Sequence, residues 1–274
     1  MGSPAHPIEG TPVALTIAGS DSGGGAGIQA DLKVFFALGC HGTSAVTALT
    51  AQNTIGVSGI HAVPGSFVDD QIDAIVADFD IAAAKTGMLG SATMVEVVAA
   101  AVRAHHVPHL VVDPVAVSKH GDRLLADDAL SAYRTHLFPL ARVVTPNLHE
   151  AGALLGIDIS SLREAEEAAR ALFDLGPAAV LVKGGHLDDQ PDEAIDVLYD
   201  GSDVVHLGGP RFDTDDTHGT GCALSAAVAA RLAHGDDVEE AVAFAKGFVA
   251  GAIERGLRLG KGYGPVNPGW RAEL

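Results

Sequence analysis

Thr217-His218-Gly219-Thr220-Gly221-Cys222 leads into a run of small apolar residues, Ala223 to Leu232. Its glycines permit a tight turn, and the run reads as a buried helix. The first turn of a helix offers unpaired N–H groups and the positive end of the macrodipole, so Gly219, Thr220, Gly221 and Cys222 form an anion cradle. The same field favours thiolate at Cys222. An ordinary glycine turn before a core helix, with Cys222 a small buried residue, fits the spacing equally well.

Further chemistry stands at the ends of apolar runs. Asp113 precedes Pro114, Asn147 stands three residues before Glu150, and Lys183 precedes Gly184-Gly185. Two carboxylates, an ammonium and a phosphate-binding turn are what phosphoryl transfer from a nucleotide requires, because that reaction is mostly positioning and charge neutralisation, with Mg²⁺ supplying much of the latter. Each residue also has a plainer account. Asn147-x-x-Glu150 is a good helix cap, Asp113 suits a strand-end turn, and Lys183 suits a solvated turn. Met88 would suit a core. No G-x-x-x-x-G-K-[ST] segment occurs, which excludes a P-loop enzyme.

Alternating strand and helix patterns must hold these groups. Val13–Ala18 reads as a strand, and the loop Gly19 to Gly27 leads to a helix from Ile28 to Leu38. Strands follow at Thr43–Thr50, Ile81–Lys85, His109–Asp113, Arg142–Thr145 and Ala178–Lys183. Helices are expected at Val63–Phe79, Ser91–His105, Asp127–His136 and Leu148–Leu155, with another beginning at Ser161, where Glu164 completes a capping box. A glycine-bearing loop through Lys119-His120-Gly121-Asp122 joins two of these units. Ile195–Tyr199 and Asp203–Leu207 read as a hairpin around Asp200-Gly201, and two last helices begin near Gly219 and Asp237. Strands separated by helices imply a mostly parallel sheet covered on both faces, a three-layer α/β/α fold. Residues 1–11 read as a loose tail and 12–270 as one domain. Ligands of such sheets bind beyond the carboxyl ends of the strands, where Gly19, Gln52, Met88, Asp113, Asn147, Glu150, Lys183 and the 217–222 turn converge.

Composition narrows the partners. The chain has 274 residues and a formal net charge of −18, which disfavours nucleic acid and anionic membrane surfaces. Cys40 and Cys222 are its only cysteines, too few for a disulfide framework or a four-cysteine zinc site. No apolar run approaches the ~18 residues that span a bilayer, and a soluble cytoplasmic protein is expected. Gly25-Ala26-Gly27-Ile28-Gln29-Ala30 fits the dinucleotide fingerprint, so an NAD-dependent oxidoreductase is one alternative. That fingerprint requires an acid about 20 positions on, after the second strand, where this chain has Ala51-Gln52-Asn53-Thr54.

Taken in order, these segments resemble the hydroxymethylpyrimidine/phosphomethylpyrimidine kinases of the ribokinase-like superfamily. The matching stretches are Ala18 to Asp21, Gly24 to Asp31, Thr47 to Thr54, Lys85 to Leu89, Asp113 to Val115, Thr145 to Ala151, Lys183 to His186 and Thr217 to Cys222. The resemblance runs from about residue 12 to Pro268. It implies a ribokinase-like fold and ATP-dependent phosphorylation of 4-amino-5-hydroxymethyl-2-methylpyrimidine, then of its monophosphate. By position it assigns Gly19, Asp31, Gln52 and Met88 to the substrate, and Asp113 and Glu150 to Mg²⁺. Asn147, Lys183, Thr217 and Lys246 fall to ATP, and Gly219 to Cys222 to catalysis, with Cys222 where sugar-kinase relatives have aspartate. A thiolate there would serve the alcohol step more than the monophosphate step. The expected assembly is a homodimer. A pyridoxal kinase is the near alternative and a non-catalytic ligand-binding relative a further one. Two departures stand out. Asp21-Ser22-Gly23-Gly24 replaces the family's Asp-Pro-Ser-Gly and implies a more flexible loop, and Asp216 stands where asparagine is common, adding charge near the phosphates.

Overall fold

In a computed structural model, residues 10–115, 127–185, 187–190 and 192–271 are described. All its named strands join one nine-stranded sheet of order β3-β2-β1-β4-β5-β6-β7-β8-β9. The strands are β1 (Val13–Asp21), β2 (His41–Gln52), β3 (Val57–Ala62), β4 (Ile81–Thr86), β5 (Leu110–Val112), β6 (Val143–Val144), β7 (Val180–Val182), β8 (Asp196–Tyr199) and β9 (Val204–Leu207). Pairing is parallel from β2 through β7, while β3 and the β8–β9 hairpin extend the two edges antiparallel. The three-layer, mostly parallel arrangement expected from the alternating pattern is the one observed.

The short central strands are buried on both faces, and successive residues serve opposite cores. Leu110 and Val112 of β5, Val144 of β6 and Val180 and Val182 of β7 face one core. Val111, Val143 and Leu181 face the other. That is the period of two of a pleated strand, masked in the sequence because both faces are apolar. The first core is covered by α2 (Gly65–Val76), α3 (Ala92–Ala104), α4 (Asp127–Ala132), α5 (Leu148–Leu155) and α6 (Leu162–Phe173). The second is covered by α1 (Gly27–Ala37), α7 (Thr220–Ala233) and α8 (Val238–Glu254).

The chain leaves β1 toward β2 and later returns to lay β4 on the other side of β1. The crossover helix changes face at this reversal, from α1 to α2 and α3. A crevice therefore opens at the carboxyl ends of β1 and β4, as the rule for open α/β sheets requires.

Three elements differ from the sequence pattern. β3 was not expected, because Val57-Ser58-Gly59-Ile60-His61-Ala62 lacks an apolar face; it is an exposed edge held by its ladder to β2. α2 begins at Gly65 and not at Val63, since Pro64 caps it in an extended conformation. After Ala132 the expected 127–136 helix widens into a π turn, Tyr133–Leu137, and then tightens into a 3₁₀ turn, Phe138–Leu140. The Lys119-His120-Gly121-Asp122 loop, His186 and residues 1–9 of the expected tail lie outside the described residues. Among the described residues no helix is long and apolar enough to cross a membrane.

Candidate active site

A cleft of about 1340 Å³ lies along the strand carboxyl ends. One drug-sized ligand needs roughly 300–1,000 Å³, so the cleft has room for a nucleotide and a small acceptor together. Gly19, Gln52, Met88, Asp113, Asn147, Glu150, Lys183, Thr217, Gly219, Thr220, Gly221, Cys222 and Lys246 all line it. Residues scattered over the chain thus meet as the strand-end argument required.

At one end three charged groups form a buried cluster. Lys183 Nζ lies 2.9 Å from Asp113 Oδ1 and 3.8 Å from Glu150 Oε2. Burial alone would lower the Lys183 ammonium, but the two carboxylates outweigh it and hold its pKa raised. Asp113 also accepts from Thr145 Oγ1 and Ser225 Oγ. Asn147 and Glu150 make a full capping box at the start of α5, with both bonds at 2.8 Å. The cap and a site role are therefore compatible. Two carboxylates against one ammonium leave a net negative charge in hard oxygen ligands, which suits a hydrated divalent cation completed by phosphate oxygens. No larger cluster of metal ligands occurs among the described residues. Lys246 pairs with Asp196 at 2.8 Å on the same cleft.

The other end is built from the β1–α1 loop and the start of α7. Asp21 accepts from the backbone N–H groups of Gly23, Gly25 and Ala26 and from His218 Nε2 at 2.9 Å. Burial would raise the Asp21 carboxyl, yet the His218 bond and the amides leave it below its ordinary range. The amides that a pyrophosphate would need in the dinucleotide reading are occupied by the chain's own carboxylate. Gly219 has φ +85°, and a Cβ there would collide with the Gly25 carbonyl. Only glycine lets the two loops touch at this point. Gly219 caps α7 without a side chain, which leaves the first-turn amides facing the cleft. The Thr220 hydroxyl donates to the Thr217 carbonyl and braces the turn.

Four expectations are corrected. Asp31 does not line the cleft: it is fully buried, accepting from Lys85 Nζ and Thr16 Oγ1. It anchors Lys85, a buried residue that borders the cleft and is held protonated; burial opposes that charge, but Asp31 and Asp113 favour it. The thiolate expected at Cys222 is disfavoured. Burial pushes the thiol up to about 11; Lys85 opposes the rise, Asp31 and Asp113 add to it, and a hydrogen bond from the Gly27 amide is too weak to reverse it. The β1–α1 loop is not loose, because Ser22 Oγ accepts from the Gln52 N–H and donates to the Gln52 carbonyl, both at 2.8 Å. Asp216 is outside the lining of the cleft, packed against Gly256 and Gly264. Asp21, Lys85 and His218 were not singled out from the sequence. The signal for Asp21 was present: an acid at the end of the first strand, followed directly by a run of free glycine amides.

A helix N-terminus beside a lysine and two carboxylates, in a cleft sized for two ligands, defines a kinase of the α/β class. The chain belongs to the phosphomethylpyrimidine kinase family, whose model matches residues 21–267. It is 50% identical over 270 residues to the hydroxymethylpyrimidine/phosphomethylpyrimidine kinase of Streptomyces coelicolor, covering 98% of each chain. Its structure resembles an ADP complex of Bacillus subtilis pyridoxal kinase at TM-score 0.88 and 38% identity, covering 94% of this chain and 98% of that one. It also resembles phosphomethylpyrimidine kinase from Clostridium difficile at TM-score 0.79 and 39% identity, covering 89% of this chain and 100% of that one.

Proposed function

We propose that the protein transfers the γ-phosphoryl group of ATP to the hydroxymethyl group of 4-amino-5-hydroxymethyl-2-methylpyrimidine and then to the resulting monophosphate, a step of thiamin biosynthesis. The observation that carries this reading is the open N-terminus of α7, set between the Asp113–Lys183–Glu150 cluster and the Asp21–Gln52 end of one cleft. The acceptor lies at the Gln52 end, against Gly19 and Met88. A Cβ on Gly19 would run into the Met88 methyl, so the glycine makes the wall there. ATP lies along Asn147, Lys183, Thr217 and Lys246.

Asp113 and Glu150 are the residues that would hold Mg²⁺, which would supply positive charge to neutralise the phosphates. Lys183 takes the transferred phosphate's negative charge as it moves, exchanging part of its pairing with Asp113 for phosphate oxygens. The first-turn amides of Thr220, Gly221 and Cys222 stabilise charge on the transferring group in both steps, because they belong to the backbone and need no reorganisation. Lys85, fixed by Asp31, supplies a permanent positive charge beneath the same place. Cys222 enters as a neutral thiol that shapes the acceptor end.

Pyridoxal is the second acceptor, favoured by the pyridoxal kinase fold match. We also place the enzyme in the cytoplasm as a homodimer. The exposed apolar residues Leu49, Ile55 and Ile60 around the β2–β3 edge hairpin support self-association. ATP consumption against pyrimidine, pyridoxal and thiazole alcohols tests the function: the aminopyrimidine should give the highest kcat/KM. Turnover of a thiazole alcohol alone would contradict the reading.

A further inference from the structure

The Gln52 amide sits between two polar neighbours, Thr50 and His218, whose proton requirements conflict with one of its rotations. In that rotation Oε1 lies 3.1 Å from Thr50 Oγ1, and Nε2 lies 3.4 Å from His218 Nε2. Thr50 has a single hydroxyl proton, and it is directed to the Ser20 carbonyl at 2.8 Å. It cannot also donate to Gln52, so the Gln52 group that faces Thr50 has to be a donor. His218 Nε2 lies 2.9 Å from an Asp21 carboxylate that already accepts three backbone amides. Such a carboxylate requires a donor from the ring, so His218 Nε2 carries the proton. The Gln52 NH₂ would then face it donor to donor. A half-turn of the amide points an N–H at the Thr50 oxygen and takes the NH₂ away from the His218 N–H, which stays bonded to Asp21.

We propose that Thr50 and His218 are positioning residues that fix the Gln52 amide with its NH₂ toward Thr50 and its carbonyl toward His218, and so set the base edge that the cleft accepts. The backbone of Gln52 is already bracketed by Ser22 Oγ, so rotation about the amide is the freedom that remains to be fixed. With one N–H on Thr50 and the carbonyl turned toward His218, whose Nε2 proton stays on Asp21, the amide keeps one N–H and its carbonyl lone pairs side by side. The ligand edge that complements this pair is an acceptor nitrogen next to an exocyclic amino donor, the edge of an aminopyrimidine. A single phenolic oxygen satisfies only half of it. Buried amide groups left half-satisfied are a strong basis for discrimination.

This inference rests on the reading in which Gln52 meets the acceptor, so its test includes an arm without substrate. In ¹⁵N-labelled full-length protein, the Gln52 side-chain amide is assigned by its loss in Gln52→Glu. The expected result is a nuclear Overhauser contact from the Nε2 protons to the Thr50 methyl group; contacts to the His218 ring protons in their place would overturn the orientation. In the kinetic arm, Thr50→Val should raise KM for the aminopyrimidine alcohol roughly tenfold with KM for ATP unchanged, and Thr50→Ser should restore it. An unchanged aminopyrimidine KM in Thr50→Val would remove the positioning role. If no aminopyrimidine is turned over by the unmodified enzyme, the functional reading fails, and the Overhauser contact alone decides the orientation.

Discussion

His218 Nε2 and Asp21 Oδ2 are 2.9 Å apart and joined across 197 positions of sequence. This bond ties the end of β1 to the start of α7, the acceptor wall to the phosphate cradle. Both residues are buried, Asp21 at 2% and His218 at 6% exposure, so neither has water as an easy substitute.

Asp21→Ala should therefore loosen both ends of the site. It strips a shared acceptor from three amides and His218, and each buried donor left unpaired costs about 1–3 kcal/mol before relaxation. Thermal melting should show a lower Tm, and KM for the acceptor should rise. The Asp21 pKa is lowered in the fold from its ordinary 3.8. Its contribution is thus fully present above that value and lost as pH falls through the folded-state pKa below it. The stability gap between mutant and parent should shrink as pH drops from 5 through that range. A gap that stays constant at acid pH would show that the carboxylate's charge is not what holds the loops.

Glu150→Gln keeps an acceptor for the capping box but removes a charge from the Lys183 cluster. Activity should fall by roughly 10–100-fold and the Mg²⁺ requirement should rise, with Tm little changed. Parent-like Mg²⁺ dependence would reduce Glu150 to a helix cap.

The raised Cys222 pKa, about 11, makes the thiol neutral at physiological pH. Iodoacetamide should label it slowly at pH 7 and faster as pH climbs past 9, as followed by peptide mass mapping. A neutral thiol is a poor base, so Cys222→Ala should slow the alcohol and monophosphate steps by similar factors. A labelling midpoint below pH 8, or a much larger loss on the alcohol step, would return Cys222 to proton transfer.

The strand-to-helix alternation and two of the capping boxes were legible because they are local: Asn147 with Glu150 and Ser161 with Glu164 stand at fixed spacing. The strand-end rule then brought Asp113, Lys183 and the 217–222 turn together without any knowledge of contacts. What escaped was tertiary. β3 exists because β2 offers it a ladder, and its own residues give no apolar alternation. The dipole argument placed a thiolate at Cys222 from its own helix alone, whereas desolvation and the carboxylates of Asp31 and Asp113 come from other elements. The family resemblance assigned Asp31 to the substrate, whereas it is the buried partner of Lys85, a residue of β4.

Phosphorus NMR of a reaction containing ATP, Mg²⁺ and 4-amino-5-hydroxymethyl-2-methylpyrimidine tests the central claim most directly. The account predicts a pyrimidine monophosphate signal that grows first and then converts to a diphosphate, with ADP rising in step with both. Formation of pyridoxal phosphate in a parallel reaction, with no phosphorylated pyrimidine at matched enzyme concentration, would contradict it.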